Sequence, residues 1–375
     1  MSRRLPAFWF STTVLLAAAA VRADDLPPAP TATPAFAEDW STGRIDPAKW
    51  YLPRKKWGDA QNHGVVPENV RIARDTAAGR ERNVLICEAH GDQYDGPVVG
   101  QGGVKTRVGG MIVSRAFFAS GRYEIVLKVG GTTAEPGGPT DPRHPAGAIP
   151  AIWTYAYRYV AVPSDRANDF VPATPLYNPL MKRYRGNANE YWSEIDFPEF
   201  GKGGNFRVGL YNTFLQNRHE SKAFDVVAGT DGQYHTFTTD WRTHLVPLTD
   251  VNDAQVTQAE GFYWINDKSI PFERYYGNPL RRVGPNQYAL YEGERVDHWI
   301  DGKQVAENTK YVPAMAAQLT LGIWLPDWAG KAPWRTSSVS IASVKIWPHH
   351  DEGDVEGILT GDLKDNFDKQ GKPIR

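Results

Sequence analysis

With one cysteine in 375 residues, Cys87, the chain can form no internal disulfide. A core this large folds without such staples. Cys87 lies in "VLICEAH", a strand-like run, and is expected to pack as a small apolar residue rather than act as a nucleophile. No helix pattern of convincing length occurs between residue 34 and Trp347. No internal repeat, phosphate-binding glycine loop or metal-binding Cys/His spacing is present. His349-His350-Asp351 offers donors for a metal, although a solvated chain end explains it as well. The one long apolar run, Ala7 to Val21, follows Arg3 and Arg4 and ends in Val21-Arg22-Ala23. Residues 1–23 therefore read as a secretory signal, too short for a comfortable membrane span. Removing them takes away three Arg and no acids. Lys+Arg then falls from 42 to 39 against 43 Asp+Glu, a net charge of −4. A general nucleic-acid binder is excluded on that balance.

What the chain has in quantity is Trp (13), Tyr (17), Gly (35) and Pro (28), at 41% hydrophobic residues. Many turns and aromatic strands indicate an all-β domain. "RYEIVLKV" (Arg122–Val129) alternates apolar and polar, with Val126 as its one exception. In "VDHWIDGKQV", Asp301-Gly302 sits between two runs as a type I′ hairpin signal. "SVSIASVKIW" (Ser338–Trp347) reads as the last strand. The expected fold is a two-sheet antiparallel β-sandwich, a jelly roll with a concave cleft. The expected division is a signal at 1–23, a Pro-rich linker at 24–35, the sandwich at 36–350 and a polar, mobile tail at 351–375. Residues 155–190 and 243–293 read as two long, aromatic, Arg-rich loops.

The densest chemistry is "SEIDFPEF", Ser193 to Phe200. On a strand, Trp192, Glu194 and Asp196 share one face, while Tyr191, Ser193, Ile195 and Phe197 share the other. The apolar set faces the core, so the acids face a groove. Strict alternation would bury Glu199 unpaired, at several kcal/mol. A β-bulge at Phe197-Pro198 returns Glu199 to the face of Glu194 and Asp196 and sends Phe200 to the core. Pro198 suits that place, having no N–H to lose. Three carboxyls on one face repel, which raises at least one pKa and yields an acid beside a base or nucleophile. Glycoside hydrolysis needs that pair. A calcium site or a solvated acidic edge would also tolerate the acids, but neither accounts for the bulge.

On these residues the sequence resembles glycoside hydrolase family sixteen, the laminarinase, lichenase, agarase and κ-carrageenase group. "EIDFPE" is similar to the bulged form of its E-x-D-x-x-E signature. "FAEDW…GRIDPAKW", "GVVPENVRI", "GMIVSRAFFASGRYEIVLKV", "AIPAIW", "YHTFTTDW", "HWIDGKQV" and "DWAG" follow in the family's order, over about residues 36 to 347. The resemblance implies a jelly roll and a retaining, double-displacement mechanism. It makes Glu194 the nucleophile, Glu199 the general acid/base and Asp196 the residue that tunes Glu194. It also implies substrate contacts by Trp192, Trp153, Trp241, His235 and Trp328. A satisfied core His and a core Trp remain open for His235 and Trp241. Some 50 residues separate the "W" strand from the "DGK" hairpin, where the family has a short loop.

The resulting expectation is a secreted or periplasmic, monomeric, endo-acting glycosidase of β-glucan or galactan type. Its partner is a polysaccharide, without nucleic acid or membrane span. No cofactor is required, and a structural calcium ion is compatible with the fold. A non-catalytic carbohydrate-binding jelly roll and a transglycosylase are the competing readings. The Arg residues of the two long loops (Arg158, Arg166, Arg183, Arg185; Arg274, Arg281, Arg282), with Arg295 just beyond the second, raise the further expectation of an acidic glycan, should those loops line the cleft.

Overall fold

A computed structural model of the chain describes residues 26–56, 62–135, 146–160, 189–202, 208–215, 218–225, 227–259, 262–265, 267 and 279–356. The signal-like residues 1–23 lie outside them. Eighteen strands run in chain order among the described residues. They are β1 (Phe36–Glu38), β2 (Trp50–Tyr51), β3 (Val70–Ala77), β4 (Arg80–His90), β5 (Gly110–Phe118) and β6 (Gly121–Thr133). Then come β7 (Ile149–Val160), β8 (Asn189–Phe200), β9 (Val208–Leu215), β10 (Arg218–Asp225), β11 (Tyr234–Leu248) and β12 (Val256–Ala259). The last six are β13 (Phe262–Ile265), β14 (Leu280–Gly284), β15 (Gln287–Ile300), β16 (Lys303–Asn308), β17 (Ala317–Trp324) and β18 (Thr336–Pro348). The described helical segments are single 3-10 turns.

Two antiparallel sheets carry these strands, as the turn-rich, aromatic composition predicts. One has seven strands in the order β10-β9-β8-β7-β17-β5-β2. The other has eleven, with β12-β13-β14-β15-β11-β6-β18-β4-β3 as its path, β1 joining β18 and β16 joining β15. Alternation decides what lies between them. Ile152 of β7, Ile195, Phe197 and Phe200 of β8, and Leu319, Leu321 and Ile323 of β17 belong to one core cluster. Tyr123, Ile125, Leu127 and Val129 of β6 and Val339, Ile341, Val344 and Ile346 of β18 belong to the same cluster. Val126, the exception in the β6 pattern, packs on the other face with Ala77, Val84, Ala342 and Tyr234. Cys87 is buried in the main core, and burial pushes its thiol pKa far up, as suits an inert packed residue. Asp301 and Gly302 both take positive φ, 50° and 80°, at the turn joining β15 to β16.

The Pro-rich segment and the start of the tail expected to be mobile are both docked. Arg122 is buried on β6 and donates from Nη1 to Pro27 O at 2.7 Å and Pro28 O at 3.1 Å. Trp347 Nε1 donates to Ala32 O at 2.8 Å. Residues 26–35 are therefore a strap rather than a free linker, because two distant side chains satisfy its carbonyls. At the other end, Asp354 accepts from Ser120 Oγ at 2.9 Å and Thr243 Oγ1 at 2.8 Å, and Ala316 N donates to Val355 O at 2.8 Å. Of the expected tail, 351–356 is pinned, and 357–375 lies outside the described residues.

The two long loops also need correction. The first is largely strand where described, with β7 reaching Val160 and β8 starting at Asn189; residues 161–188, with Arg166, Arg183 and Arg185, lie outside. In the second, β11 and β15 run on past the sandwich, and β12, β13 and β14 add to their sheet. Val251, Ile265, Leu280, Tyr288 and Leu290 give this extension a small core of its own. Of its described arginines, Arg282 pairs with Asp253 at 3.0 Å and Arg281 is exposed; Arg295, just beyond, pairs with Asp297 at 3.0 Å. Arg274 lies outside the described residues.

Candidate active site

β8 is flanked by β7 and β9, and directly opposed residues of an antiparallel pair share a face. Glu194 lies between Tyr155 of β7 and Phe214 of β9. Asp196 lies between Trp153 and Asn212. Glu199 lies between Ala151 and Leu210. The register skips between Asp196 and Glu199 against β9, and between Ala151 and Trp153 against β7. That is the bulge the sequence requires, and the Phe197-Pro198 peptide within it is cis. Ser193, Ile195, Phe197 and Phe200 are buried on the opposite side. The core anchors the strand on one face while the three acids share the other.

Asn212 ties two of these acids together. Its Nδ2 donates to Asp196 Oδ2 at 2.7 Å and lies 3.5 Å from Glu199 Oε2. Asp196 is 1% exposed. Burial, then the charge of Glu194, pushes its carboxyl well above the ordinary carboxylate range, against the opposing bond from Asn212. Glu199 is raised likewise, first by burial and then by the charge of Asp196, while Lys202 works in the opposite direction. Both carboxyls hold protons at pH values where a free one has lost them.

Raised pKa values also act on stability. A carboxyl whose folded pKa exceeds its unfolded one favours folding below the unfolded pKa and loses that contribution as pH rises through the folded one. At neutral pH, Asp196 and Glu199 therefore weigh against folding. Asp196→Asn should melt at a higher temperature than the parent at neutral pH, with the gap shrinking on acidification to below 3.8, the ordinary Asp value. Melting curves at matched pH values check this; a gap that ignores pH would contradict it.

The other expected contacts divide. Trp153 sits opposite Asp196, half-buried, and packs with Trp324 against Ile149, Ala151 and Ala329. Trp328 is 44% exposed, with its ring edge-on to Trp324 at 5.8 Å. Trp192 is on β8, and its side chain lies outside the described residues. Trp241 is corrected: it is 0% exposed, belongs to the central core and donates from Nε1 to Pro313 O at 2.9 Å. No face of it is left for a sugar. His235 is likewise corrected as a substrate contact. On β11 of the other sheet, its Nδ1 meets Asp301 Oδ2 at 2.6 Å and its Nε2 meets Asp231 Oδ2 at 3.0 Å. Burial works to lower its pKa, but the hydrogen bonds and negative charges of Asp301 and Asp231 together raise it. His349 bonds Asp240 at 3.0 Å, and among the described residues no group of three His, Cys, Asp or Glu could hold a metal.

Asn212 escaped the sequence reading. Its signal was present in "VGLYNTFL", where one amide alternates with Leu210 and Phe214 on the strand after the acids.

No family model matches the chain, and no curated protein matches it in sequence. Solved structures do align with it. A prokaryotic β-1,3-1,4-glucanase (lichenase) from a mouse hindgut metagenome is 14% identical, over 84% of this chain and 98% of that one, with a TM-score of 0.45. The β-glucanase of Bacillus licheniformis is 13% identical over 84% and 99%, at 0.46. The catalytic domain of an endo-1,3-β-glucanase (laminarinase) from Thermotoga petrophila is 14% identical over 84% and 96%, at 0.47. These values are too low to carry chemistry across, so function has to rest on the site.

Proposed function

We propose that the chain is a retaining glycoside hydrolase that cleaves β-linked polysaccharide, of β-glucan or galactan type, within the chain. The observation that supports this best is the trio on one strand face, with Asn212 bridging Asp196 to a Glu199 whose pKa is raised. In the first step a Glu194 oxygen attacks the anomeric carbon. The bond to the glycosidic oxygen breaks, and Glu199 gives that oxygen its proton. In the second step Glu199, now a carboxylate, takes a proton from water, whose oxygen displaces Glu194. Asp196, protonated beside Glu194, lowers the repulsion at the nucleophile while no sugar is attached. A purely binding jelly roll would gain nothing from two buried carboxyls that oppose folding at neutral pH. Export directed by residues 1–23 would place the activity outside the cytoplasm.

The test is a panel of laminarin, mixed-linkage β-glucan, agarose and κ-carrageenan, with NMR of the first products. A retained anomer is expected, with mid-sized oligosaccharides appearing early. An inverted anomer appearing first would contradict the mechanism. Product chains longer than the starting oligosaccharide would move the reading to a transglycosylase.

A further inference from the structure

Trp328 stands on the turn Asp327–Ala329, and this turn lies on the acid side of the seven-stranded sheet. Ala329 packs with Ile149 and Ala151, and Ala151 is the residue opposite Glu199. The indole of Trp328 is exposed to solvent, yet the backbone on either side of it is tied down. Arg107, on the segment leading into β5, is 7% exposed. Its Nη1 donates to Gly330 O at 3.1 Å, and its Nη2 to Leu325 O at 3.3 Å and Pro326 O at 3.0 Å. Asp92 lies 3.6 Å from the same guanidinium. Asp92 Oδ2 also accepts from Ala332 N at 2.8 Å. One buried fork thus grips both flanks of the turn, and its counter-ion grips the chain two residues further on.

A buried guanidinium is costly to desolvate. A single exposed tryptophan needs no such support for solubility or packing. The expense makes sense if the indole has to present its face in one place. A flat indole held beside the acid row matches the C–H face of a pyranose, and preorganisation removes the ordering cost of binding.

We propose that Arg107 is a positioning residue, clamping Trp328 as a saccharide-stacking wall beside Glu199. This deepens the glycosidase reading and borrows from it only the ligand class. Lys at position 107 would keep the charge but lose the planar fork, whose two terminal nitrogens reach Gly330 O on one flank and Leu325 O and Pro326 O on the other.

The experiment measures binding rather than turnover, in the Glu194→Gln background, by affinity electrophoresis in gels containing laminarin, mixed-linkage β-glucan or agarose. Trp328→Ala should weaken retention by on the order of tenfold, about 1.4 kcal/mol, on the glycan that the parent binds. Arg107→Lys should weaken it comparably. The two together should weaken it little more than either alone, because both act through one indole. Asp92→Asn, which loosens the same guanidinium without removing it, should weaken retention several-fold and decides the matter if Arg107→Lys does not fold. Parent-like retention in Arg107→Lys, or in Asp92→Asn where the first does not fold, would overturn the proposal. So would multiplying effects in the double variant, or no retention on any of the three gels with Trp328 intact. Should the unmutated protein hydrolyse none of these glycans while this binding pattern holds, the wall stands and the hydrolase reading falls.

Discussion

Glu194→Gln should lower turnover by several powers of ten, and on every substrate. The amide cannot attack the anomeric carbon, and both displacement steps pass through that oxygen. Glu199→Gln should match it on natural glycan, whose leaving alkoxide needs a proton. The two should part on a dinitrophenyl glycoside, whose leaving group departs without one. There Glu199→Gln should recover most of its first step, while Glu194→Gln recovers nothing. Steady-state rates on both substrates make the comparison, and near-normal turnover by Glu194→Gln would defeat the assignment. Asp196→Asn should lose less than either, since Asp196 touches no reacting atom in this scheme. The alkaline limb of the parent's pH profile should lie well above the ordinary Glu value of 4.5, because Glu199 acts protonated and its pKa is raised. That limb should vanish in Glu199→Gln.

Trp241→Ala should act on stability instead. The side chain is enclosed between the sheets, its ring 6.5 Å from that of Tyr123. Truncating a buried Trp typically costs about 3–5 kcal/mol. The variant would also strip Pro313 O of its donor, adding a buried unsatisfied acceptor. Urea midpoints should fall accordingly, while the KM of the folded fraction stays near the parent's. The opposite result, a raised KM with an unmoved midpoint, would return Trp241 to the cleft. Trp328→Ala should show that opposite pattern, because its indole already faces water.

This contrast marks where sequence reading ends. The alternation in β6, the Asp301-Gly302 turn and the bulge after Asp196 were legible because each is a local rule: period two, positive φ, one residue too many. For β11, alternation correctly put His235, Phe237, Thr239 and Trp241 on one side. It could not say that this side looks into the core, or that β11 lies in the sheet opposite the acids. That depends on pairing with β6 and β15, which no local pattern encodes. The prolines at 27 and 28 read as linker because their anchor, Arg122, is some 95 residues away. Arg107 was equally silent, since its three carbonyls lie more than 200 positions down the chain. Asn212 was within reach: a lone amide in an apolar set, on the strand following three acids, is a polar partner in search of a carboxylate.

Trapping the covalent intermediate tests the central claim most directly. A 2-deoxy-2-fluoro β-glycoside with a good leaving group slows release of the glycosyl-enzyme more than its formation. After incubation, mass spectrometry of the digested protein should find one sugar added, on the peptide containing "YWSEIDFPEF", with fragmentation placing it on Glu194. The adduct should be absent from Glu194→Gln and should still form in Glu199→Gln. An adduct on Glu199 would contradict the account, as would steady hydrolysis of natural glycan by a protein that never acquires one.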